Sequence, residues 1–332
     1  MIWRDYGCPV ADRELPFDPC PLLGHPHPQT YFSSFRCWIP HPVSQGTIIS
    51  LADGDRVVME STTPEHWKKT DPTVLCVHGL CGSHLSSYLL RLVNRLNPLG
   101  IKVVRFNMRG CGSGKGLAKQ IYHSGRSEDV LEAIKVLKRE FPDSPITVIG
   151  FSLGGNIVLK MMGELNSLES SLVDRAFAIC PPVDLMSSAL LTKEVANGLY
   201  GRYFYRLLRA NVYELHRLFK DLPPIHLPKN LSLYEFDELY TVPRAGYKDI
   251  QDYYTKCSAI HSIEEIQAPC RILFSGDDPI VSHQALDCHR LPSNIEIYKT
   301  KRGGHMGFLG NPASPRGFYW LDSLLQDWIL EC

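Results

Sequence analysis

Apolar residues occur along this chain in short runs that alternate with amphipathic segments. The runs are rich in Val and Ile, which is typical of buried parallel strands. After a hairpin at 46–61, strands are predicted at 73–77, 102–106, 146–149, 176–180, 271–274 and 295–298. Helices are predicted over about 86–96, 129–141, 156–162, 283–290 and 316–330. This order predicts right-handed crossovers and a mostly parallel sheet with helices on both faces.

The alternation is interrupted in two places. Residues 1–45 are rich in proline and aromatic residues, which excludes a long helix and predicts an extended arm packed on the domain by side chains such as Trp38. Residues 184–265 have the pattern of helices rich in Tyr, Arg and Leu, and they predict a helical insertion that covers the sheet as a cap or lid. The remaining residues, 46–183 and 266–332, form the predicted α/β core.

A serine lies between one predicted strand and the helix that follows it. Gly150-Phe151-Ser152-Leu153-Gly154 has the form Gly-x-Ser-x-Gly. Its glycines allow a sharp turn that exposes the hydroxyl at the end of the sheet. The N-terminal N–H groups of the helix point toward charge that develops beside the serine. Ser152 is therefore the predicted nucleophile, although such a stretch also occurs by chance.

A nucleophilic serine needs a base, and the base needs a group that orients it. His305 follows the last predicted strand in a glycine-rich loop, and it is the predicted base. Asp277 and Asp278 follow the strand 271–274. Asp278 is favoured as the acid because it begins Asp-Pro-Ile-Val, with Asp277 as the alternative. The order Ser, Asp, His along the chain is that of the α/β-hydrolase triad.

The donors for an oxyanion are predicted to be backbone N–H groups. One is that of Leu153, directly after the serine, and the other is that of Leu80, in the turn after the strand 73–77. His78, two residues before Leu80, is an alternative base. Its place before a turn glycine favours a structural role.

Composition and charge exclude several classes of function. The chain has 332 residues, 44% of them hydrophobic, so it can form a large core as one domain with an insertion or as two domains. Lys plus Arg and Asp plus Glu number 35 each, so nothing in the overall charge attracts nucleic acid or an anionic membrane. The glycine-rich stretch 110–116 matches no phosphate-binding motif, and no cofactor is predicted.

Cysteine usage and the N-terminus predict a soluble cytoplasmic protein. The 11 cysteines include no Cys-x-x-Cys and are expected to be reduced thiols. Cys20, His25, His27 and Cys37 match no zinc spacing, so no metal is predicted. The start of the chain lacks the pattern of a signal peptide, and no stretch approaches the roughly 20 apolar residues of a membrane span. Contact with a membrane would then be peripheral, and no oligomeric state is predicted.

Eight stretches together resemble the YheT-like branch (AB hydrolase 4) of the α/β-hydrolase superfamily, whose members include abhydrolase-domain esterases and lipases. They are Pro26–Thr30, His78–Ser83, Asn107–Cys111, Ile121–Gly125, Glu235–Asp237 with Thr241, Asp252–Tyr254, Asp277–Pro279 and Gly303–Phe308. The match runs nearly from end to end and implies the α/β-hydrolase fold. The membrane-anchored relatives have an N-terminal span that this chain lacks, so membrane residence is not implied.

The resemblance implies hydrolysis of short- to medium-chain acyl esters, monoacylglycerols or phospholipids. We therefore expect a serine carboxylic-ester hydrolase in which Ser152 forms an acyl-enzyme, with His305 as base and Asp278 as its partner. The alternative is an acyltransferase that moves an acyl group, for example from acyl-CoA, to an alcohol with the same triad. A binding module without activity is disfavoured because all three triad positions are filled.

Overall fold

The structure is a computed structural model, and it describes residues 13–33, 39–287, 289 and 291–331. Trp38, expected to pack the N-terminal arm, and Cys37, considered as a metal ligand, lie outside these residues.

Within the described residues, nine strands form one sheet. The strands are β1 (Arg13–Glu14), β2 (Gln45–Ser50), β3 (Arg56–Thr62), β4 (Thr73–Val77), β5 (Lys102–Asn107), β6 (Ile146–Phe151), β7 (Arg175–Ile179), β8 (Cys270–Ser275) and β9 (Ile295–Thr300). Their order in the sheet is β1-β9-β8-β7-β6-β4-β5-β3-β2, and only the β2–β3 and β3–β5 pairs in it are antiparallel. The mostly parallel sheet that the sequence predicts is confirmed.

Helices cover both faces of the sheet because strand side chains alternate between the faces. The helices on the core are α1 (Pro26–Ser33), α2 (Ser87–Leu96), α3 (Ser127–Glu140), α4 (Leu153–Glu164) and α10 (Trp320–Leu330). Along β4, Leu75 and Val77 pack in one apolar cluster with α3 and α4, whereas Val74 and Cys76 pack in another with α2 and α10. This is the layered α/β architecture of the predicted fold class.

The chain between β7 and β8 forms helices instead of further strands. They are α5 (Leu185–Glu194), α6 (Leu199–Leu218), α7 (Leu233–Phe236), α8 (Val242–Ala245) and α9 (Ile250–Cys257). A third apolar cluster, which includes Tyr205, Leu208 and Phe236, joins α6 to α7. In the parts of the chain described, no helix is both long enough and apolar enough to cross a bilayer.

Two local predictions were wrong. Residues 26–33 of the expected extended arm form the helix α1. Pro26 and Pro28 are compatible with it because they lie in the first turn, where N–H groups have no partner within the helix. Conversely, no helix forms at 283–287 in the predicted helix 283–290, where single turns such as Asp287 N–H to Gln284 O replace it. That segment lies between Pro279 and Pro292, and proline disfavours helical backbone in the residue before it.

Candidate active site

Ser152 lies on a tight turn between β6 and α4. Its backbone has φ 51° and ψ −120°, a conformation that non-glycine residues rarely adopt. A Cβ on Gly150 would overlap the backbone of Gly154, and a Cβ on Gly154 would overlap the carbonyl oxygens of Val77 and His78. Gly150 is therefore required by the tightness of the turn itself, and Gly154 by its close packing against the end of β4. The turn holds the Ser152 side chain at the carboxyl edge of the sheet.

Three predicted site residues meet at this edge through a line of hydrogen bonds. Ser152 Oγ lies 2.7 Å from His305 Nε2, and His305 Nδ1 lies 2.8 Å from Asp278 Oδ2. The Asp278 and His305 side chains are 2% and 7% exposed. With Asp278 ionised, Nδ1 carries the proton that it donates, so that Nε2 is left to accept from the serine hydroxyl. This arrangement can remove a proton from Ser152.

The two neighbouring acids have different contacts. Asp278 Oδ1 accepts from the N–H groups of Ile280 and Val281 at 2.8 and 3.0 Å, which orients its other oxygen toward His305. Asp277 Oδ1 instead accepts from the Ser275 hydroxyl and the Gly304 N–H, both at 2.8 Å. Asp277 therefore fixes the backbone next to His305, and only Asp278 contacts the imidazole.

Helix α1 also holds the histidine loop, a contact that we did not predict. The His305 N–H donates to Thr30 Oγ1 at 2.8 Å. Gln29, which is fully buried, donates to the carbonyls of Leu23 and Leu309 and accepts from the Leu309 N–H at 2.7 Å. The signal in the sequence was the Pro-His-Pro-Gln-Thr stretch. Its last two residues position the loop that carries His305.

His78, the alternative base, is occupied by the backbone. Its Nδ1 lies 2.8 Å from the Gly79 carbonyl, and its Nε2 lies 3.2 Å from the Met108 nitrogen. Burial lowers the pKa of His78 to about 4, so the ring is neutral and its two nitrogens suit one donor and one acceptor role. This histidine holds the ends of β4 and β5 together.

Leu80 and Leu153, whose N–H groups are the predicted oxyanion donors, lie on the turns that follow β4 and β6. Both residues line the same cavity as Ser152. The N–H groups on either side of Leu80 are occupied, because Gly79 donates to the Tyr88 hydroxyl and Cys81 to the Tyr122 hydroxyl. Leu153 is the first residue of α4, so its N–H has no acceptor within the helix.

The glycine-rich stretch 110–116 is anchored by ion pairs of the arginine that precedes it. Arg109 donates to both oxygens of Asp129 at 2.7 Å and also contacts Asp53 and Asp55. Its charge is balanced by these carboxylates. Arg109 therefore fixes the loop after β5 instead of offering a site for phosphate.

Cys180, at the end of β7, lies beside the triad. Atoms of Cys180, Asp278 and His305 that could bind a metal lie within 4.8 Å of one another. Burial and then the Asp278 carboxylate raise the pKa of the Cys180 thiol, which keeps it protonated. Metals bind the thiolate, whereas this thiol is protonated, and Asp278 and His305 already bond to each other. The Cys180 side chain is therefore a packing group beside this pair.

A cavity of about 770 Å³, counting the space open to solvent at its mouth, extends from Ser152 under the helices between β7 and β8. The strand ends form one wall, and the inserted helices form the other with apolar side chains. Residues of the two walls are Leu80, Ser152 and Leu153 on the first, and Phe204, Leu208 and Phe236 on the second. Such a cavity can hold an apolar group next to the serine.

One carboxyl group also lines this cavity and was not predicted as functional. Asp237 accepts from the Thr241 hydroxyl at 2.6 Å and from the Tyr254 hydroxyl at 3.0 Å. It begins a π-helical turn, Asp237–Thr241, of a kind often found at functional sites. Burial raises the pKa of Asp237 to about 6. The Glu235–Asp237 and Asp252–Tyr254 stretches are thus joined through this carboxyl.

The chain is similar to known proteins over most of its length. A family model described as the alpha/beta hydrolase fold matches residues 72–312. The Escherichia coli (strain K12) protein named "Putative esterase YheT" is 33% identical over 287 residues, which cover 85% of this chain and 83% of that protein. The human protein named "Phospholipase ABHD3" is 26% identical over 334 residues, which cover 94% of this chain and 80% of that protein.

Solved structures of low sequence identity share the architecture. Est1E from Butyrivibrio proteoclasticus, solved with bound ferulic acid, superposes with a TM-score of 0.57 at 16% identity. The superposition covers 86% of this chain and 98% of Est1E. At this identity, the similarity supports the fold alone.

Proposed function

Because this chain belongs to the YheT-like branch of the α/β-hydrolase superfamily, we propose that it is a serine carboxylic-ester hydrolase that acts through Ser152, His305 and Asp278. The observation that carries this proposal is the line of hydrogen bonds from Asp278 through His305 to Ser152. The relatives support an esterase- or lipase-like hydrolase in general. The roles of individual residues rest on the geometry.

The proposed reaction begins when Ser152 Oγ attacks the acyl carbon while His305 Nε2 takes the hydroxyl proton. The oxyanion that forms accepts from the N–H groups of Leu153 and Leu80. As the intermediate collapses, His305 gives its proton to the oxygen of the leaving alcohol. Water then attacks the acyl-enzyme by the same steps and releases the acid. Asp278 stabilises the imidazolium in both halves without taking its proton.

We propose acyl esters of short to medium chain length, acylglycerol- or phospholipid-like, as substrates. The apolar wall that Phe204, Leu208 and Phe236 give to the cavity supports an acyl chain there. The human relative is named a phospholipase, which supports a lipid-like ester. In this proposal helices α5–α9 act as a cap that encloses the acyl chain of the substrate and excludes bulk water.

The test is hydrolysis of p-nitrophenyl esters of increasing chain length by the wild type and by Ser152→Ala. We expect kcat of the variant to fall at least about 10³-fold, since the nucleophile is lost while the fold is kept. The melting temperature serves as the control for folding. Undiminished turnover in a folded Ser152→Ala protein would exclude the mechanism.

Acyl transfer to an alcohol is the alternative, because it uses the same triad and differs only in what attacks the acyl-enzyme. To distinguish the two reactions, ethanol is added to the p-nitrophenyl ester assay, or to a reaction in which acyl-CoA is the acyl donor, and the products are identified. Free acid as the main product supports hydrolysis. Ethyl ester as the main product would instead assign acyl transfer.

A further inference from the structure

A second cavity lies next to the one that contains Ser152. It measures about 530 Å³, counting the space open to solvent, and lies between α6 and the glycine-rich stretch 110–116. The exposed residues Lys115 and Asn211 line it, so it reaches the surface of the protein. Among the described residues that line it there is no member of the triad, so catalysis by the triad does not account for this space.

One apolar stripe of α6 lines both cavities. Phe204 and Leu208 line the cavity around Ser152, and the second cavity is lined by Leu208, Val212, Leu215 and Leu218. Their spacing of three or four residues places these side chains along one side of the helix. From Leu208 to Leu218 the helix rises about 15 Å. The second cavity therefore continues along α6 from Leu208, where the first cavity ends.

Three residues form the partition between the two cavities, because Leu208, Ile121 and Tyr122 line both of them. The Tyr122 hydroxyl accepts from the Cys81 N–H at 2.7 Å, so this side chain also holds the turn after β4. Leu208 is 7% exposed and belongs to the apolar cluster that joins α6 to α7, and Ile121 packs against the same cluster. Because Leu208 and Ile121 are aliphatic, either side chain can be shortened without removing a hydrogen bond.

The lining of the second cavity suits hydrocarbon better than an ion. Arg109 contributes to the lining, but its guanidinium is bound by both oxygens of the Asp129 carboxylate. Lys115 lies close enough to Glu214 to attract its carboxylate. Burial raises the pKa of the Cys111 thiol, so this side chain is a small apolar group. With these charges balanced and the rest of the lining mostly apolar, an alkyl chain fits the space.

We propose that Leu208 and Ile121 set the upper limit of acyl-chain length, and that the second cavity takes the end of a longer chain once this partition is opened. The inference rests on the proposed function, since it requires an acyl chain that starts at Ser152. Because the partition separates the cavities, such a chain ends against Leu208. Beyond it, each further methylene that leaves water should tighten binding roughly four-fold.

The experiment compares p-nitrophenyl esters from butyrate to palmitate with the wild type, Leu208→Ala and Ile121→Ala. For the wild type, we expect kcat/KM to fall beyond medium chain length. Each variant should raise the ratio of kcat/KM for palmitate to that for butyrate at least about ten-fold. The two substitutions lie on different elements, and the melting temperature shows which variants are folded. A wild type that hydrolyses palmitate as well as medium-chain esters, or an unchanged ratio in the folded variants, would overturn the proposal.

Filling the second cavity tests whether the longer chain enters it. Leu218, the last residue of α6, lines this cavity and is 41% exposed, so Leu218→Trp can fill the space without a change in the core. Added to Leu208→Ala, it should return the palmitate-to-butyrate ratio to that of the wild type. Leu330→Trp, at the exposed last residue of α10, is the matched control and should leave the gain in place. A gain that survives Leu218→Trp would mean that the chain takes another path, and the proposal would be wrong.

Binding of palmitic acid separates failure of this proposal from failure of the proposed function, because binding needs no catalysis. Titration calorimetry compares Ser152→Ala with the same protein carrying Leu208→Ala as well, and we expect at least about ten-fold tighter binding by the second. If the wild type hydrolyses no ester while this difference is found, the proposed function is wrong and the partition still limits chain length. If the wild type hydrolyses butyrate but neither the ratio nor the binding responds to Leu208→Ala, the partition alone is refuted.

Discussion

The two walls of the cavity around Ser152 are held in different ways. On the strand side, Asp278 accepts from two backbone N–H groups, and the His305 backbone donates to Thr30. On the side of α6 and α7, Leu208 and Phe236 are held by packing among other apolar and aromatic side chains. Hydrogen bonds fix position within tenths of an ångström, whereas apolar packing tolerates substitution at constant volume.

This difference suggests that the two walls of the cavity have different functions. The strand wall has the rigidity that positioned proton transfer requires, since small displacements of the reacting groups reduce rate strongly. The helical wall can change its shape by substitution without moving the triad. We therefore expect changes on the strand side to alter the rate for every ester, and changes on the helical side to alter which ester is preferred. The predictions below separate the two walls.

The largest effect is expected for the acid. Asp278→Asn replaces the acceptor of the His305 Nδ1 proton with a group that favours the wrong tautomer, and kcat should fall about 10³- to 10⁴-fold for all chain lengths. Asp277→Asn is the matched control, because Asp277 bonds to Ser275 and Gly304 and not to the imidazole. Its kcat should fall less than about ten-fold. The reverse order in steady-state assays would assign the role to Asp277.

Removing the support from α1 should destabilise the strand side. Gln29→Leu leaves the carbonyls of Leu23 and Leu309 and the Leu309 N–H without their present partner in a buried site. At about 1–3 kcal/mol for each of the three unsatisfied groups, we expect the free energy of unfolding to fall by at least about 3 kcal/mol. Urea denaturation measures this. Gln251→Leu, at an exposed glutamine, should change it by less than about 0.5 kcal/mol. Equal effects of the two substitutions would mean that Gln29 is not a support.

On the helical side, Asp237 should make stability depend on pH. Burial raises its pKa from the usual value near 4 to about 6 in the folded chain, so folding favours the protonated form. The stability this gives at low pH is lost as pH rises from about 4 to about 6, a loss of about 3 kcal/mol that Asp237→Asn should not show. Urea denaturation of both proteins across this range checks the difference. Parallel curves for the two proteins would contradict a raised pKa of Asp237 in the folded chain.

The smallest effect is expected for the cavity wall. Leu208→Trp occupies space that we assign to the acyl chain, and it should lower kcat/KM for the longer p-nitrophenyl esters about ten-fold while leaving the acetate unchanged. Leu208→Met, which keeps the volume, is the control. A loss that is uniform across chain lengths would show that this wall also positions the triad.

The features that we predicted correctly from the sequence depend on residues that lie close together along the chain. The β-branched run of β6, the Gly-x-Ser-x-Gly turn and α4 are contiguous, and His305 and Asp278 each lie in the loop that follows a strand. The contacts of Gln29 with Leu309 join residues 280 positions apart, and no local pattern contains them. The prolines of α1 led us to predict extended backbone where a helix forms. Asp237 went unnoticed as a cavity group because its hydrogen bond with Tyr254, 17 positions further along the chain, forms only in the folded insertion.

Labelling with a fluorophosphonate, followed by peptide mass spectrometry, tests the central claim most directly. The reagent forms a stable adduct with a serine whose hydroxyl is activated by a neighbouring base. We predict one adduct, on the peptide that contains Ser152, which is absent in Ser152→Ala and formed at least about 10²-fold more slowly in His305→Ala. Labelling at another serine, or equal labelling rates in the wild type and His305→Ala, would contradict the proposed triad.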